Sequence, residues 1–178
     1  MTKPLHVLFV CTANICRSPF MQLVADHLAQ GSLSVTSAGT HALSDHPMDP
    51  TMAAELSGLG IASDAFRSRL LTPVLVNEAD LVLTAEAGHR RFILDEQPGA
   101  FRTVFTLGQF AEAVRHWPDR SGRELISSAG EQRPASDGLD VDDPFGRGPA
   151  AAAMAAARID GLVRTVMPAL SPPARLPS

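Results

Sequence analysis

Cys11-Thr12-Ala13-Asn14-Ile15-Cys16-Arg17-Ser18 sets a soft nucleophile, a fixed cation and a hydroxyl within one short stretch, with five residues between Cys11 and Arg17. Where a chain leaves a strand and curls into a helix, consecutive backbone N–H groups point into one concavity. The helix dipole adds positive potential there. Such a cup has the size of phosphate or another tetrahedral oxyanion. Arg17, at the helix entry, offers a guanidinium fork to two of the oxygens. Cys11, at the strand end, lies at the floor and aims at the phosphorus. The same donors favour its thiolate, the nucleophilic form, and Ser18 adds a hydroxyl donor to the sulfur. These residue types at this spacing fit phosphoryl transfer by way of a phosphocysteine. The plainer alternative is a buried structural thiol, because free cysteines are commonly buried. Cys16 reads equally as an uninvolved loop thiol or as a redox partner, since a folded-back loop would allow a Cys11–Cys16 disulfide.

The elements around this loop follow from patterning. Residues 5–10 are almost continuously apolar, as in a buried parallel strand. Ser18-Pro19 predicts a helix start, with Ser as cap and Pro in the first turn, and Phe20, Val24 and Leu28 form its apolar face. Residues 33–37 alternate and close at Gly39 as a second strand. Asp49-Pro50 opens a helix, and Thr72-Pro73 opens a shorter one. Residues 79–83 read as a third strand followed by a helix over 85–94. Residues 103–105 read as a fourth strand backed by a helix near 110–114. From 118 to 142 the composition shifts to Pro, Gly, Ser and charge, which predicts a loop insert. Residues 150–167 are an alanine-rich helix, and 171–178 a disordered tail. The expected fold is α/β: a single domain over 1–170, with a four-stranded parallel sheet flanked by helices on both faces. Ligands in such folds bind at the carboxyl ends of the strands, where Cys11 lies.

Composition narrows the function. A chain of 178 residues fits one domain. A net charge of −4 argues against a nucleic-acid partner. No apolar run approaches the roughly 20 residues that span a bilayer, and residues 5–10 are too short for a signal core. A cytoplasmic protein with no membrane partner is expected. Two cysteines form no disulfide framework. The histidines are scattered, with no HxxxH or CxxC spacing, so no metal is expected. The Walker lysine loop and GxGxxG are both missing, so no nucleotide cofactor is expected. His41 and His46 read as solvated loop residues, His89, Arg90 and Arg91 as a charged helix face, and Trp117 as a packing anchor.

The segment Val10-Cys11-Thr12-Ala13-Asn14-Ile15-Cys16-Arg17-Ser18-Pro19 resembles the signature of the low-molecular-weight protein tyrosine phosphatase family. Thr36-Ser37-Ala38-Gly39-Thr40, Ser68-Arg69, Ala79-Asp80-Leu81-Val82-Leu83 and Asp143-Pro144-Phe145 follow in the family's order. The resemblance implies the phosphotyrosine protein phosphatase I-like fold and hydrolysis of phosphotyrosine in proteins. It implies Cys11 as nucleophile and Arg17 as phosphate ligand, with Thr12, Ala13, Asn14, Ile15 and Cys16 as the cup. Ser18 would donate to the thiolate, Asn14 would hold the loop in shape, and Ser37 would support Asn14. Asp143 would serve as general acid and then base. Of Asp140, Asp142 and Asp143, only Asp143 precedes a proline, which biases it toward an extended, stiffened loop. An ordinary Asp-Pro turn is the plain alternative.

The chain departs from the family in places. Phe145 and Gly146 stand where tyrosines are usual, Leu43 falls at the opposite aromatic wall, and Phe66 replaces a frequent His. Ile15 matches phosphotyrosine members, whereas related arginine phosphatases tend to carry Thr. A rival on the same fold is a thiol-dependent arsenate reductase. Its thioredoxin-coupled form needs further cysteines that this chain lacks, while a form using a small external thiol needs only Cys11.

Overall fold

The apolar run at the start of the chain becomes β1 (His6–Cys11), buried from Val7 onward. In the computed structural model, which describes residues 3–171, β1 lies between β2 (Ser34–Gly39) and β3 (Leu81–Thr84). Beyond β3 lies β4 (Val104–Thr106), and all pairings are parallel in the order β2-β1-β3-β4. Both faces of β1 are buried, which is why it shows no alternation. Val7 and Phe9 join Leu81, Leu83 and Phe105 in the larger core, and Leu8 and Val10 join Val82 and Val104 in the smaller one.

Helices cover both faces. The larger core receives Phe20 and Val24 from α1 (Arg17–Ala29), Met52 and Leu56 from α2 (Pro50–Gly58), Phe110 from α5 (Leu107–His116), and Ile159 and Val163 from α7 (Gly148–Leu170). The smaller receives Val76 from α3 (Pro73–Glu78) and Ile93 from α4 (Ala87–Glu96). Local chemistry sets several starts. Asp49 accepts from the N–H groups of Thr51 and Met52 ahead of α2, with Pro50 in the first turn. Thr72 caps α3 and Thr106 caps α5 in the same way.

Three expectations need correction. α1 starts at Arg17, with Cys16 as a cap that makes no side-chain bond. Ser18 is therefore not the cap, because its hydroxyl faces Cys11 and Asn14 instead. The loop insert expected over 118–142 contains α6 (Gly122–Glu131), with Leu125 and Ala129 fully buried in the larger core. Average polarity hid that spaced apolar pair. α7 continues through Pro168 to Leu170, whose burial with Met167 holds the last turn in place. The tail expected over 171–178 lies, from residue 172 on, outside the described residues.

β1 feeds α1 and β2 on one side, while β3 lies on its other side. The connections thus diverge at the carboxyl end of β1 and leave a crevice there. Among the described residues no helix is long and apolar enough to cross a membrane.

Candidate active site

The loop between β1 and α1 is packed from below by the end of β2. Thr40 and His41 donate their N–H groups to the carbonyls of Cys11 and Thr12, both at 2.9 Å, and Asp49 N–H donates to Ile15 at 2.8 Å. Gly39 lies directly under the loop, where a side chain would strike the backbone of residues 12–14. Asn14 sits in the left-handed region at φ 55°, a conformation Asn tolerates better than most residues. Its buried amide donates to Ser18 Oγ at 2.9 Å and Ser37 Oγ at 2.8 Å, and its oxygen accepts from Arg69 N–H at 2.9 Å. Ser37 Oγ in turn donates to Gln22 Oε1 at 2.6 Å. This network lies under the curve and holds the strained residue in place.

Cys11 Sγ is buried, 3.0 Å from Ser18 Oγ. Both cysteines are free thiols, so no Cys11–Cys16 disulfide is present. Burial foremost, then the charge of Asp49, pushes the Cys16 thiol up to about 12. Cys16 therefore stays protonated near neutrality and is a poor nucleophile.

Arg17 is almost wholly enclosed. Its Nη1 donates to Glu86 Oε2 and to the Val141 carbonyl, each at 2.9 Å, and its Nη2 lies 3.2 Å from Asp143 Oδ2. Nε is buried with no protein partner. One edge of the guanidinium is thus anchored, and the other carries an unused donor beside the cup.

Asp143 reaches this place on a pinned segment. Val141 N–H donates to the Ala85 carbonyl at 2.9 Å, and Asp140 Oδ1 accepts from Ala87 N–H, also at 2.9 Å, at the start of α4. Asp143 itself is half exposed, and its Oδ1 accepts from Phe145 N–H at 3.2 Å. Leu43 and Phe145 are apolar side chains left 71% and 60% exposed. Thr12, Ala13 and Ile15 are half-buried in the loop.

Two residues beside the cup escaped the sequence reading. Glu86 was passed over, and His89, read as part of a charged face, is 5% exposed. His89 Nε2 lies 2.8 Å from Thr12 Oγ1 and 3.6 Å from Glu86 Oε1, while Nδ1 is buried without a partner. Burial chiefly, helped by the charges of Arg17 and His41 and opposed by Glu86 and Asp143, lowers its pKa to about 4, so the ring is neutral. An unpartnered buried polar atom costs about 1–3 kcal/mol, so packing alone does not explain a histidine here. Their place beyond the carboxyl end of β3, where ligands gather in such sheets, is the signal that could have found both residues. Among the described residues no group of His, Cys, Asp and Glu is arranged to hold a metal ion.

Residues 6–119 match the family described as low molecular weight phosphotyrosine protein phosphatase. The chain is 39% identical over 106 residues to the "Probable low molecular weight protein-tyrosine-phosphatase EpsP" of Ralstonia solanacearum, covering 60% of this chain and 72% of that protein. It is 32% identical over 111 residues to a protein-arginine-phosphatase of Geobacillus stearothermophilus, covering 62% and 74%. Among solved structures, the YwlE arginine phosphatase, in a cysteine-to-serine mutant with a phosphorylated active-site serine, superposes with a TM-score of 0.77. That match has 26% identity and covers 97% of this chain and 100% of that one.

Proposed function

Because the chain belongs to the low molecular weight phosphotyrosine protein phosphatase family, we propose that it hydrolyses phosphotyrosine in proteins through a phosphocysteine on Cys11. The observation that carries this reading is the sulfur of Cys11 at the end of β1, 3.0 Å from the Ser18 hydroxyl and beside an anchored Arg17. The phosphate oxygens take the loop N–H groups together with Nε and Nη2 of Arg17. Nη2 is released to the substrate by the half-exposed Asp143. The Cys11 thiolate attacks phosphorus, an S–P bond forms, and the bond to the tyrosyl oxygen breaks. Asp143, protonated, gives its proton to that departing oxygen. Water then attacks phosphorus, its proton passing to the Asp143 carboxylate. The S–P bond breaks, and Ser18 donates to the sulfur as it regains charge. The positive charge this chemistry needs comes from Arg17 and backbone dipoles.

In this reading the catalytic unit spans residues 1–170. Val141 anchors Arg17, and α6 and α7 supply part of the core beneath it. Leu43 and Phe145 border the entrance for the aromatic ring. Ile15 favours phosphotyrosine over phosphoarginine, the substrate class named for two of the relatives. Free thiols fit a reducing compartment such as the cytoplasm. The arsenate reductase alternative is not favoured, since the matched relatives carry phosphatase names.

The test is hydrolysis of a phosphotyrosyl peptide beside a phosphoarginyl peptide, with chelator present, and arsenate with a thiol and a reductase as a third arm. Phosphate release from the tyrosyl peptide, lost in Cys11→Ser, is expected. An acid-quenched reaction should contain a phosphocysteine by mass spectrometry. Preferential turnover of phosphoarginine, or arsenate-dependent reductant consumption without hydrolysis, would overturn the assignment.

A further inference from the structure

The first turn of α4 reaches both ends of the phosphate loop. Glu86, at its cap, and His89, three residues on, lie on one face of the helix. Glu86 holds Arg17, the first residue of α1 where the loop ends, at 2.9 Å. His89 holds Thr12, the first residue after the nucleophile, at 2.8 Å. The two are close to each other, with His89 Nε2 3.6 Å from Glu86 Oε1. Two bonded pairs, Thr12–His89 and Arg17–Glu86, therefore sit side by side on one turn of α4 outside the cup.

We propose that His89 is a positioning residue for the phosphatase reaction: buried on the rigid first turn of α4, its imidazole sets Thr12, and with it the opening peptide of the loop, before substrate arrives. The inference rests on the phosphatase reading above and goes beyond it to a residue outside the loop and the acid segment. Residue type is the first support. An apolar side chain would fill this buried space without leaving Nδ1 unpartnered, so the histidine is kept for the bond its other nitrogen makes. Bond direction is the second. The Glu86 carboxylate lies on the Nε2 side, which assigns the ring proton to Nε2. His89 then donates to Thr12 Oγ1, and the threonine's own proton remains free to turn toward the loop or its anion. Helical rigidity is the third. α4 is capped by the Asp140 side chain at Ala87 N–H, on the segment that carries Asp143, so one helical turn locates both ends of the loop relative to the acid.

The experiment compares His89→Leu, His89→Gln and Thr12→Val with the wild type. It measures kcat and KM on p-nitrophenyl phosphate, the Kd of inorganic phosphate by calorimetry, and Tm. His89→Leu keeps the packing and removes the orphan nitrogen, so its Tm should equal or exceed that of the wild type. Its kcat/KM should fall at least about tenfold and its phosphate Kd should rise about tenfold, because sub-ångström misplacement of binding groups costs on that scale. His89→Gln, which keeps an N–H donor, should recover most of the loss. Thr12→Val should reproduce it, and the Thr12→Val/His89→Leu double variant should add little. Should His89→Leu remain within twofold of an active wild type in both kcat/KM and phosphate Kd, the positioning role is wrong while the phosphatase reading stands. A wild type that hydrolyses no aryl phosphate overturns both.

Discussion

Replacing Gly39 by alanine should disable the phosphate loop while leaving every side chain in it unchanged. Gly39 ends β2 directly beneath the loop, and a Cβ built there would meet Thr12 O at 2.5 Å, Asn14 N at 2.8 Å and the Ala13 carbonyl carbon at 2.9 Å. The nearest of these falls about 0.9 Å short of ordinary van der Waals contact, and all three are backbone atoms that no rotamer can move away. Gly39 has little room to retreat. Its N–H donates to the Arg69 carbonyl at 3.0 Å, and its carbonyl accepts from Leu71 N–H at 2.8 Å. The strain therefore falls on the loop, which must rise by a large part of an ångström. A displacement of that size in the oxyanion donors lowers kcat/KM about a hundredfold, and overpacking destabilises the fold by about 1–3 kcal/mol. The assay is steady-state turnover of p-nitrophenyl phosphate at a temperature where the variant is shown by circular dichroism to be folded, with phosphate affinity measured in parallel. Gly58→Ala, at the end of α2 with nothing within 4 Å of its Cβ, is the control and should be silent. Wild-type kcat/KM in folded Gly39→Ala would refute the claim that β2 sets the height of the loop.

Three further outcomes follow. Asp143→Ala should lower turnover of a phosphotyrosyl peptide by about a hundredfold or more and of p-nitrophenyl phosphate much less, because a good leaving group needs little protonation; equal losses on both substrates would remove the acid role. The His89 ring has a folded pKa of about 4 against 6.5 unfolded. The unfolded chain therefore binds the extra proton as pH falls below 6.5, and stability drops until about pH 4. Between pH 7 and 5 this loss is about 2 kcal/mol, measurable by urea unfolding and absent in His89→Leu. Leu125→Ala, at a fully buried position of α6, should cost about 2–5 kcal/mol; a loss below 1 kcal/mol in denaturant unfolding would restore the view of 118–142 as a tolerated insert.

Much of the molecule was legible before any coordinates. The unbroken apolar run at 5–10, the Asp49-Pro50 and Thr72-Pro73 starts and the Cys11-to-Arg17 spacing are local signals. They depend on burial period, cap chemistry and the curl from a strand into a helix, each written within a few residues. Other features are not local. Whether Ser18 caps a helix or serves a sulfur depends on where Cys11 and Asn14 come to lie. Whether His89 faces water or the phosphate loop depends on how α4 packs beside β3 and so reaches Thr12, 77 residues away along the chain. The anchors of Arg17 come from Glu86 and from the Val141 carbonyl, and no pattern near position 17 announces either. The chain by itself determined which groups can do the chemistry, since nucleophilicity and charge belong to residue types. Only the folded arrangement decided which distant groups hold them at working distance, because a hydrogen bond across the fold exists only once the sheet order has brought its two ends together.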